Sequence, residues 1–226
     1  MKKSFLIIGG ILLVVLLIIA ISISPSDKIK ENLLNIEYNV NSNIANLDYD
    51  TENPVVAMYV ENYGSVVMEL YPDIAPNTVN NFISLIKQGF YDNNTMHRLM
   101  PGFVLQGGDP TGNGSGGPGY EIKGEFSSNG FENNLSHKKW IVSMARSGKP
   151  DSAGSQFFIC LGDATYLDGN YAAFGKVIDG FENLKNIEEN EVVADTSSGK
   201  LKNNLKIKKA LIDLKSKDYP EVEKIN

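Results

Sequence analysis

Cysteine, histidine and clusters of basic residues are all scarce in this chain of 226 residues. A single cysteine, Cys160, excludes an internal disulfide. Zinc sites combine several Cys or His ligands, and the only histidines, His97 and His137, lie far apart, so no metal site is predicted. Lys and Arg number 21 against 27 Asp and Glu, giving a net charge of -6, and no basic block occurs. Nucleic-acid binding is therefore not expected.

Long hydrophobic runs are also missing, with one exception near the N-terminus. Lys2 and Lys3 precede an uncharged apolar run, Phe5–Ile23, which as a helix would span about 28 Å, close to the thickness of a bilayer core. A cleaved signal peptide has a shorter core and a small-residue exit, which Ala20–Ser24 matches only loosely. Residues 1–24 are therefore predicted to be a single-pass anchor in the cell membrane, with a cytoplasmic N-terminus and an extracytoplasmic remainder. The alternative is secretion after signal cleavage.

The segments on either side of the main body are polar. Residues 25–53 are rich in Asn, which disfavours both helix and strand, although their apolar positions fit a helical stripe and partly a strand alternation. We interpret this segment as a spacer. At the other end, residues 215–226 form a polar tail that is expected to fray.

Residues 54–214 have the pattern of one folded domain. Val55–Val60 and Ser65–Tyr71 alternate like two strands joined by a turn at Asn62–Gly64. Pro76 suits the start, and Gly89 the end, of a helix with one apolar face. Many short strands with two helices predict an all-β domain built on a closed or sandwiched antiparallel sheet. The remaining strands are predicted at 96–100, 103–105, 140–145, 156–161, 172–178 and 205–214, and a second helix at 181–189.

A glycine-rich stretch, Gly112–Gly117, has the G-x-G-x-x-G spacing of dinucleotide-binding sites. Such sites need a strand before the glycines and a helix after them. Pro110 and Pro118 flank this stretch, so we interpret it as a flexible loop. The sequence contains no G-x-S-x-G, H-E-x-x-H or Walker pattern.

The stretch Met96–Asp109 places an arginine close to an aromatic residue and an amide. On a regular strand, Arg98 would share its face with Met96 and Met100, and Phe103 and Gln106 follow after a Pro-Gly break. Two interpretations stay open from the residues alone. Arg98 is either a surface cation lying over a ring or a functional group of an active face.

The same stretch resembles the signature of the cyclophilins. Three further stretches resemble that family in the same order: Trp140–Ala145, Ser155–Cys160 and Tyr166–Val177. The loop Gly107–Tyr120 is similar to that of bacterial members, and the resemblance covers residues 54 to about 214. It implies an eight-stranded closed antiparallel barrel with two capping helices. It also implies peptidyl-prolyl cis-trans isomerase activity on proline-containing polypeptides, without a cofactor.

Carried over position by position, the resemblance assigns roles to individual residues. Arg98 takes the place of the catalytic arginine, and Phe103 and Gln106 complete the catalytic group. Phe103 also belongs, with Phe158 and Leu167, to the apolar pocket for the proline ring. The implied substrate-binding residues are Val104, Ala145, Arg146, Gln156, Phe158, Tyr166, Leu167 and Tyr171.

Four of these positions depart from the residues common in the family. Val104 replaces a methionine, which predicts a slightly wider pocket, and Arg146 replaces an asparagine that acts mainly through its backbone. Tyr166 replaces a tryptophan of many eukaryotic members, and Tyr171 replaces a histidine. Both tyrosines keep an aromatic surface with a polar tip, so they bear on binding of the drug cyclosporin, which is expected to be weak, more than on catalysis.

The sequence therefore predicts a membrane-anchored isomerase that assists the folding of exported or surface proteins. The main alternative is a barrel that grips proline-containing segments without turnover, as a holdase. A surface adhesin is a third hypothesis, which rests on location alone. The complete set of Arg98, Phe103, Gln106 and Phe158 favours the enzyme.

Overall fold

The computed structural model describes residues 47–225. The predicted anchor at 5–23 and most of the spacer lie outside these residues. Within them, no helix is both long and apolar enough to cross a membrane. The strands and α-helices of this range are β1 (Val55–Val60), β2 (Gly64–Leu70), α1 (Pro76–Lys87), β3 (Thr95–Met100), β4 (Val104–Asp109), β5 (Ile141–Met144), β6 (Phe157–Cys160), β7 (Ala173–Asp179), α2 (Phe181–Asn190), β8 (Val193–Asp195) and β9 (Lys200–Asp213).

Eight of the strands close into a barrel. Their order is β1-β2-β7-β5-β6-β4-β3-β9, and β9 pairs back onto β1, with every pairing antiparallel. The short β8 pairs only with β9 and stays outside the ring. The eight-stranded closed antiparallel barrel with two helices is therefore confirmed. Closure pairs the backbone groups of all eight strands, which leaves no open sheet edge in the ring.

The first hairpin follows the local turn chemistry. β1 pairs with β2 from Val55 opposite Glu69 to Val60 opposite Gly64. Asn62 and Gly64 have φ angles of 69° and 98°, in the left-handed region that Gly and Asn tolerate best. The predicted turn is confirmed.

Helix α1 joins the barrel core through its apolar face. It begins at Pro76, and the carboxylate of Glu125 accepts hydrogen bonds from the next two backbone N–H groups, of Asn77 and Thr78, at 3.0 and 2.8 Å. This distant cap satisfies donors that a helix start leaves without partners. The Phe82 ring contacts the rings of Tyr91, Phe157 and Phe174 at centroid distances of 5.0, 5.3 and 5.0 Å.

Side-chain alternation on β3 and β6 separates the core from a second apolar cluster outside it. On β6, Phe157 is fully buried in the main core, and Phe158 belongs to the other cluster. On β3 the expected alternation is wrong for Met96, which lies in the core and does not share the face of Arg98. A β-bulge causes this, because two strand steps separate Met96 from Arg98 while their partners on β4 are adjacent.

Both ends of the described range lie against the barrel. The Lys215 ammonium donates hydrogen bonds to the backbone carbonyls of Leu47 and Tyr49, at 3.0 and 3.2 Å. The tail, which was expected to fray, instead returns along the surface, where Ile225 forms an antiparallel bridge with Glu121. Backbone hydrogen bonds and side-chain packing therefore hold segments whose composition is that of linkers.

Candidate active site

Arg98 is held on the outer surface of the barrel by three neighbouring segments. It pairs with Gln106 of β4 on one side and with Lys200 of β9 on the other. Its Nε donates to the Ser198 backbone carbonyl at 2.8 Å, and its Nη1 donates to Gln106 Oε1 at 3.1 Å. The guanidinium is half-buried and is held through its Nε and Nη1 atoms. Its remaining N–H groups therefore have a defined direction.

A chain of side-chain amides continues from the arginine. Gln106 Nε2 donates to Gln156 Oε1 at 3.0 Å, and Gln156 Nε2 donates to the carbonyls of Gly114 and Gly116 at 3.0 and 2.9 Å. Each amide thereby has its orientation set by the next one. The stretch Gly112–Gly117 is a loop, as predicted, and its backbone anchors the far end of the chain.

An apolar cluster lies on the end of β3, on the outer faces of β4 and β6 and on the segments that follow β5 and β6. We refer to the surface of this cluster as the apolar hollow; it lies beside Arg98, whose Cζ lies 5.9 Å from the centroid of the Phe103 ring. The structure brings together six of the predicted site residues here. The buried members are Val104, Phe158, Cys160 and Ala164, and the partly buried ones are Met100, Phe103, Ala145, Leu167 and Tyr171.

The two remaining predicted residues lie at the rim of this cluster. Tyr166 is 69% exposed, and its ring centroid lies 5.8 Å from that of Phe103. The Arg146 guanidinium lies over the Tyr171 ring at 4.7 Å and donates from Nε to the Asn170 carbonyl at 2.9 Å. All the residues predicted for the site therefore occupy one continuous face of the barrel.

Two features of the site were not predicted from the sequence. The first is the β8–β9 hairpin, whose Ser198 carbonyl holds Arg98. The turn composition of Asp195–Gly199, between apolar positions, is the signal that could have indicated this hairpin. The signal is weak, because β8 has only three residues.

The second feature lies beneath the apolar cluster. His137 is fully buried and stacks on Phe158 with centroids 6.0 Å apart. Its Nδ1 lies 2.8 Å from Asp168 Oδ1, and its Nε2 lies 2.9 Å from Ser143 Oγ. Burial lowers the pKa of His137 from its ordinary value, and its hydrogen bond to the Asp168 carboxylate opposes that effect. The imidazole thus supports the ring that forms the floor of the hollow.

The charges around the hollow suit a fixed donor and not a nucleophile. Burial lowers the pKa of Arg98 from its ordinary value, while Tyr171 and Tyr166 oppose this effect, and an arginine stays protonated. Burial raises the pKa of Cys160 to about 12, so its side chain is a protonated thiol at neutral pH. Among residues 47–225 there is no group of three or more His, Cys, Asp or Glu side chains that could hold a metal ion.

The comparisons with known proteins agree with this geometry. Residues 55–212 match the family model described as cyclophilin type peptidyl-prolyl cis-trans isomerase/CLD. The chain is 46% identical over 136 residues to peptidyl-prolyl cis-trans isomerase B of Bacillus subtilis, covering 60% of this chain and 92% of that relative. It is 42% identical over 134 residues to a peptidyl-prolyl cis-trans isomerase of Helicobacter pylori, covering 58% and 79%.

A solved structure is similar to this chain in both fold and sequence. It is a cyclophilin type peptidyl-prolyl cis-trans isomerase of Cryptosporidium parvum, crystallised in the presence of the dipeptide Ala-Pro. The TM-score is 0.62 at 36% identity, covering 70% of this chain and 98% of that one. With the family match and the barrel described above, it establishes that this chain belongs to the cyclophilin-type peptidyl-prolyl cis-trans isomerases.

Proposed function

We propose that this isomerase assists the folding of exported or surface proteins from the outer side of the cytoplasmic membrane. The apolar run Phe5–Ile23 after Lys2 and Lys3 supports the location, because such a run inserts with its lysines in the cytoplasm. The barrel would then bind polypeptides as they leave the membrane, while they are still unfolded and their X–Pro bonds are a mixture of cis and trans. Slow X–Pro isomerisation limits the folding of many such chains.

The chemistry that the site must perform is rotation about one bond. Resonance gives the X–Pro C–N bond a barrier of about 18–20 kcal/mol, and uncatalysed exchange takes roughly 10–100 s. In the twisted amide the nitrogen regains its lone pair and becomes a hydrogen-bond acceptor. A catalyst therefore needs a donor that forms a stronger hydrogen bond with the twisted amide than with the planar amide.

Arg98 is the donor in our proposal. Its guanidinium keeps its charge at every working pH, and Gln106 and the Ser198 carbonyl hold it in place beside the hollow. Because it is already positioned, little reorganisation accompanies the rotation of the substrate. Each tenfold gain in rate needs only about 1.4 kcal/mol of selective stabilisation, which one charge-assisted hydrogen bond can provide.

The apolar hollow is assigned to the proline ring. Phe158 forms its floor, and Phe103 and Leu167 pack at its edge. Contact with these side chains is the same in the planar and the twisted substrate. It anchors the ring while the preceding residue turns, so it contributes to binding and not to the acceleration.

A holdase that binds proline segments without turnover is the second candidate. One observation favours the enzyme: a guanidinium held by Ser198 and Gln106 lies 5.9 Å from the Phe103 ring of the apolar hollow. Binding alone would need the hollow but not the chain of amides that orients the arginine.

The location is tested by treating intact spheroplasts with a protease. The barrel should be digested from outside while a cytoplasmic marker protein survives. An intact barrel after that treatment would contradict the topology. A mature chain that starts near Ser24 would instead support secretion after cleavage.

The folding role is tested with an exported protein whose refolding has a proline-limited phase, which the isomerase should accelerate in proportion to its concentration.

A further inference from the structure

The end of the chain adds a fixed element to the barrel, outside the region that matches the family. That region ends at residue 212. We define residues 218–225 as the C-terminal strap. Its Glu223 exchanges two hydrogen bonds with the Asn77 side chain, both at 2.9 Å, and its Ile225 exchanges two backbone bonds with Glu121, at 2.7 and 3.1 Å. Tyr219 and Val222 pack against the core, so the strap is anchored along its whole length.

The strap ends at a cavity of about 690 Å³ beside the active face. On one side the cavity is lined by Gln106, Gln156 and Ala145, and on another by the loop 114–121. Ile225 of the strap closes a further wall. Without the strap, this wall would be open to solvent.

Ala145 connects this cavity to the proline hollow. It packs against the apolar cluster around Phe158, and it also lines the cavity. An extended peptide advances about 3.3 Å per residue. A substrate whose proline lies on Phe158 therefore brings a flanking side chain to the cavity within one or two positions. This step rests on the proposed placement of proline in the hollow.

The walls of the cavity favour a particular class of side chain. Ile225 and Pro118 offer apolar surface, and Glu121 carries an exposed carboxylate that has no ion-pair partner among residues 47–225. Arg146 lines the cavity and Lys224 precedes Ile225, and both cations have other contacts. The Arg146 guanidinium is bonded to the carbonyls of Asn170 and Ser147. The Lys224 ammonium lies 4.3 Å from the centroid of the Tyr120 ring.

We propose that the C-terminal strap determines which residue the enzyme prefers within two positions of proline. Ile225 and Glu121 complete a subsite for a long side chain with an aliphatic stem and a cationic end, as in lysine. The stem contacts Ile225, and the ammonium group approaches the carboxylate of Glu121. An exposed charge pair together with a partly buried stem supports a gain of about threefold in affinity over alanine.

The test uses the full-length chain and two series of Ala-Pro peptides, varied at the positions before and after that dipeptide. Each series carries lysine, norleucine or alanine, and exchange NMR measures affinity and turnover. In one series the lysine peptide should bind at least about threefold tighter than the alanine peptide. Ile225→Ala should remove the advantage of both lysine and norleucine, and Glu121→Gln only that of lysine. Val192→Ala, which trims another exposed aliphatic side chain, should change neither.

The outcomes separate this proposal from the assignment of the proline hollow. Exchange of the alanine peptides reports on the hollow and Arg98 alone. If those peptides exchange rapidly and lysine has no advantage in either series, the subsite is wrong while the isomerase mechanism stands. An unchanged lysine preference in Ile225→Ala would likewise overturn the role of the strap. If the alanine peptides bind without faster exchange, the mechanism is wrong, and the affinities still test the subsite.

Discussion

Gly199 offers a way to move Arg98 without replacing a side chain of the apolar hollow. It lies in the β8–β9 hairpin with a φ angle of 76°, and its carbonyl accepts a hydrogen bond from the Leu99 N–H at 2.8 Å. A Cβ at this position would lie 2.6 Å from Met100 Cγ, 2.9 Å from the Leu99 carbonyl oxygen and 3.2 Å from Arg98 Cγ. Since one of these contacts is backbone, Gly199→Ala must displace the hairpin that carries the Ser198 carbonyl.

The size of the effect follows from a comparison with Gly130. Gly130 has the same φ of 76°, but a Cβ there would meet nothing within 4 Å. The left-handed conformation costs an L-residue about 1–2 kcal/mol, and this cost is common to both alanine variants. For a chain of this size it lowers the melting temperature by about 2–4 °C per kcal/mol. Any further decrease in the melting temperature of Gly199→Ala, beyond that of Gly130→Ala, measures the clash with β3.

Exchange NMR on an Ala-Pro peptide then separates turnover from binding. Displacement of the guanidinium should lower turnover of Gly199→Ala at least tenfold, or about 1.4 kcal/mol, because a misplaced donor no longer meets the twisted amide. Peptide affinity should fall less than turnover, because the new Cβ meets Met100 at the edge of the cluster while Phe103, Phe158 and Leu167 are not replaced. Gly130→Ala should keep the turnover of the unmodified chain. Equal turnover in the two variants would refute the role of the hairpin in positioning Arg98.

Three further predictions concern the hollow, the glycine-rich loop and the rim. Phe158→Ala should raise KM more than it lowers kcat, because ring contact serves the planar and the twisted substrate alike; equal losses in both would contradict this. Burial would raise the pKa of Asp109, yet hydrogen bonds from Thr111 and Gly114 hold it at about 2, below its ordinary 3.8. Its carboxylate should therefore contribute about 2 kcal/mol above pH 4, which is lost as the pH falls through about 2; urea unfolding of Asp109→Asn should lack this acid dependence. Tyr166→Trp should bind cyclosporin more tightly than the unmodified chain in a titration, and equal affinities would show that this position does not determine drug binding.

The sequence predicts those parts of the fold that depend on local patterns and on side chains. Strand alternation identifies β1 and β2, and the turn residues Asn62 and Gly64 define their hairpin. The bulge at β3 could not be predicted, because the extra residue arises from pairing with β4 and leaves no mark in the hydrophobic pattern. Met96 was therefore placed on the wrong face.

The same distinction applies to the candidate site. Arg98, Phe103 and Gln106 are close in the sequence and form one motif. The Ser198 carbonyl is a backbone group 100 positions from Arg98, so no side-chain motif contains it. The pair of His137 and Asp168 is separated by 31 positions and is brought together only by the packing behind Phe158.

The central claim is that Arg98 accelerates proline isomerisation by stabilising the twisted amide. Exchange NMR on a short Ala-Pro peptide measures binding and the cis–trans rate in one sample. The unmodified chain should speed the exchange, and Arg98→Ala should lower turnover at least tenfold, or about 1.4 kcal/mol, with a smaller loss of affinity. Arg98→Lys should recover little of the turnover, because lysine keeps the charge but not the fixed fork of donors. A chain that binds the peptide without speeding its exchange would establish the holdase instead, and an Arg98→Ala variant as fast as the unmodified chain would contradict the role assigned to this arginine.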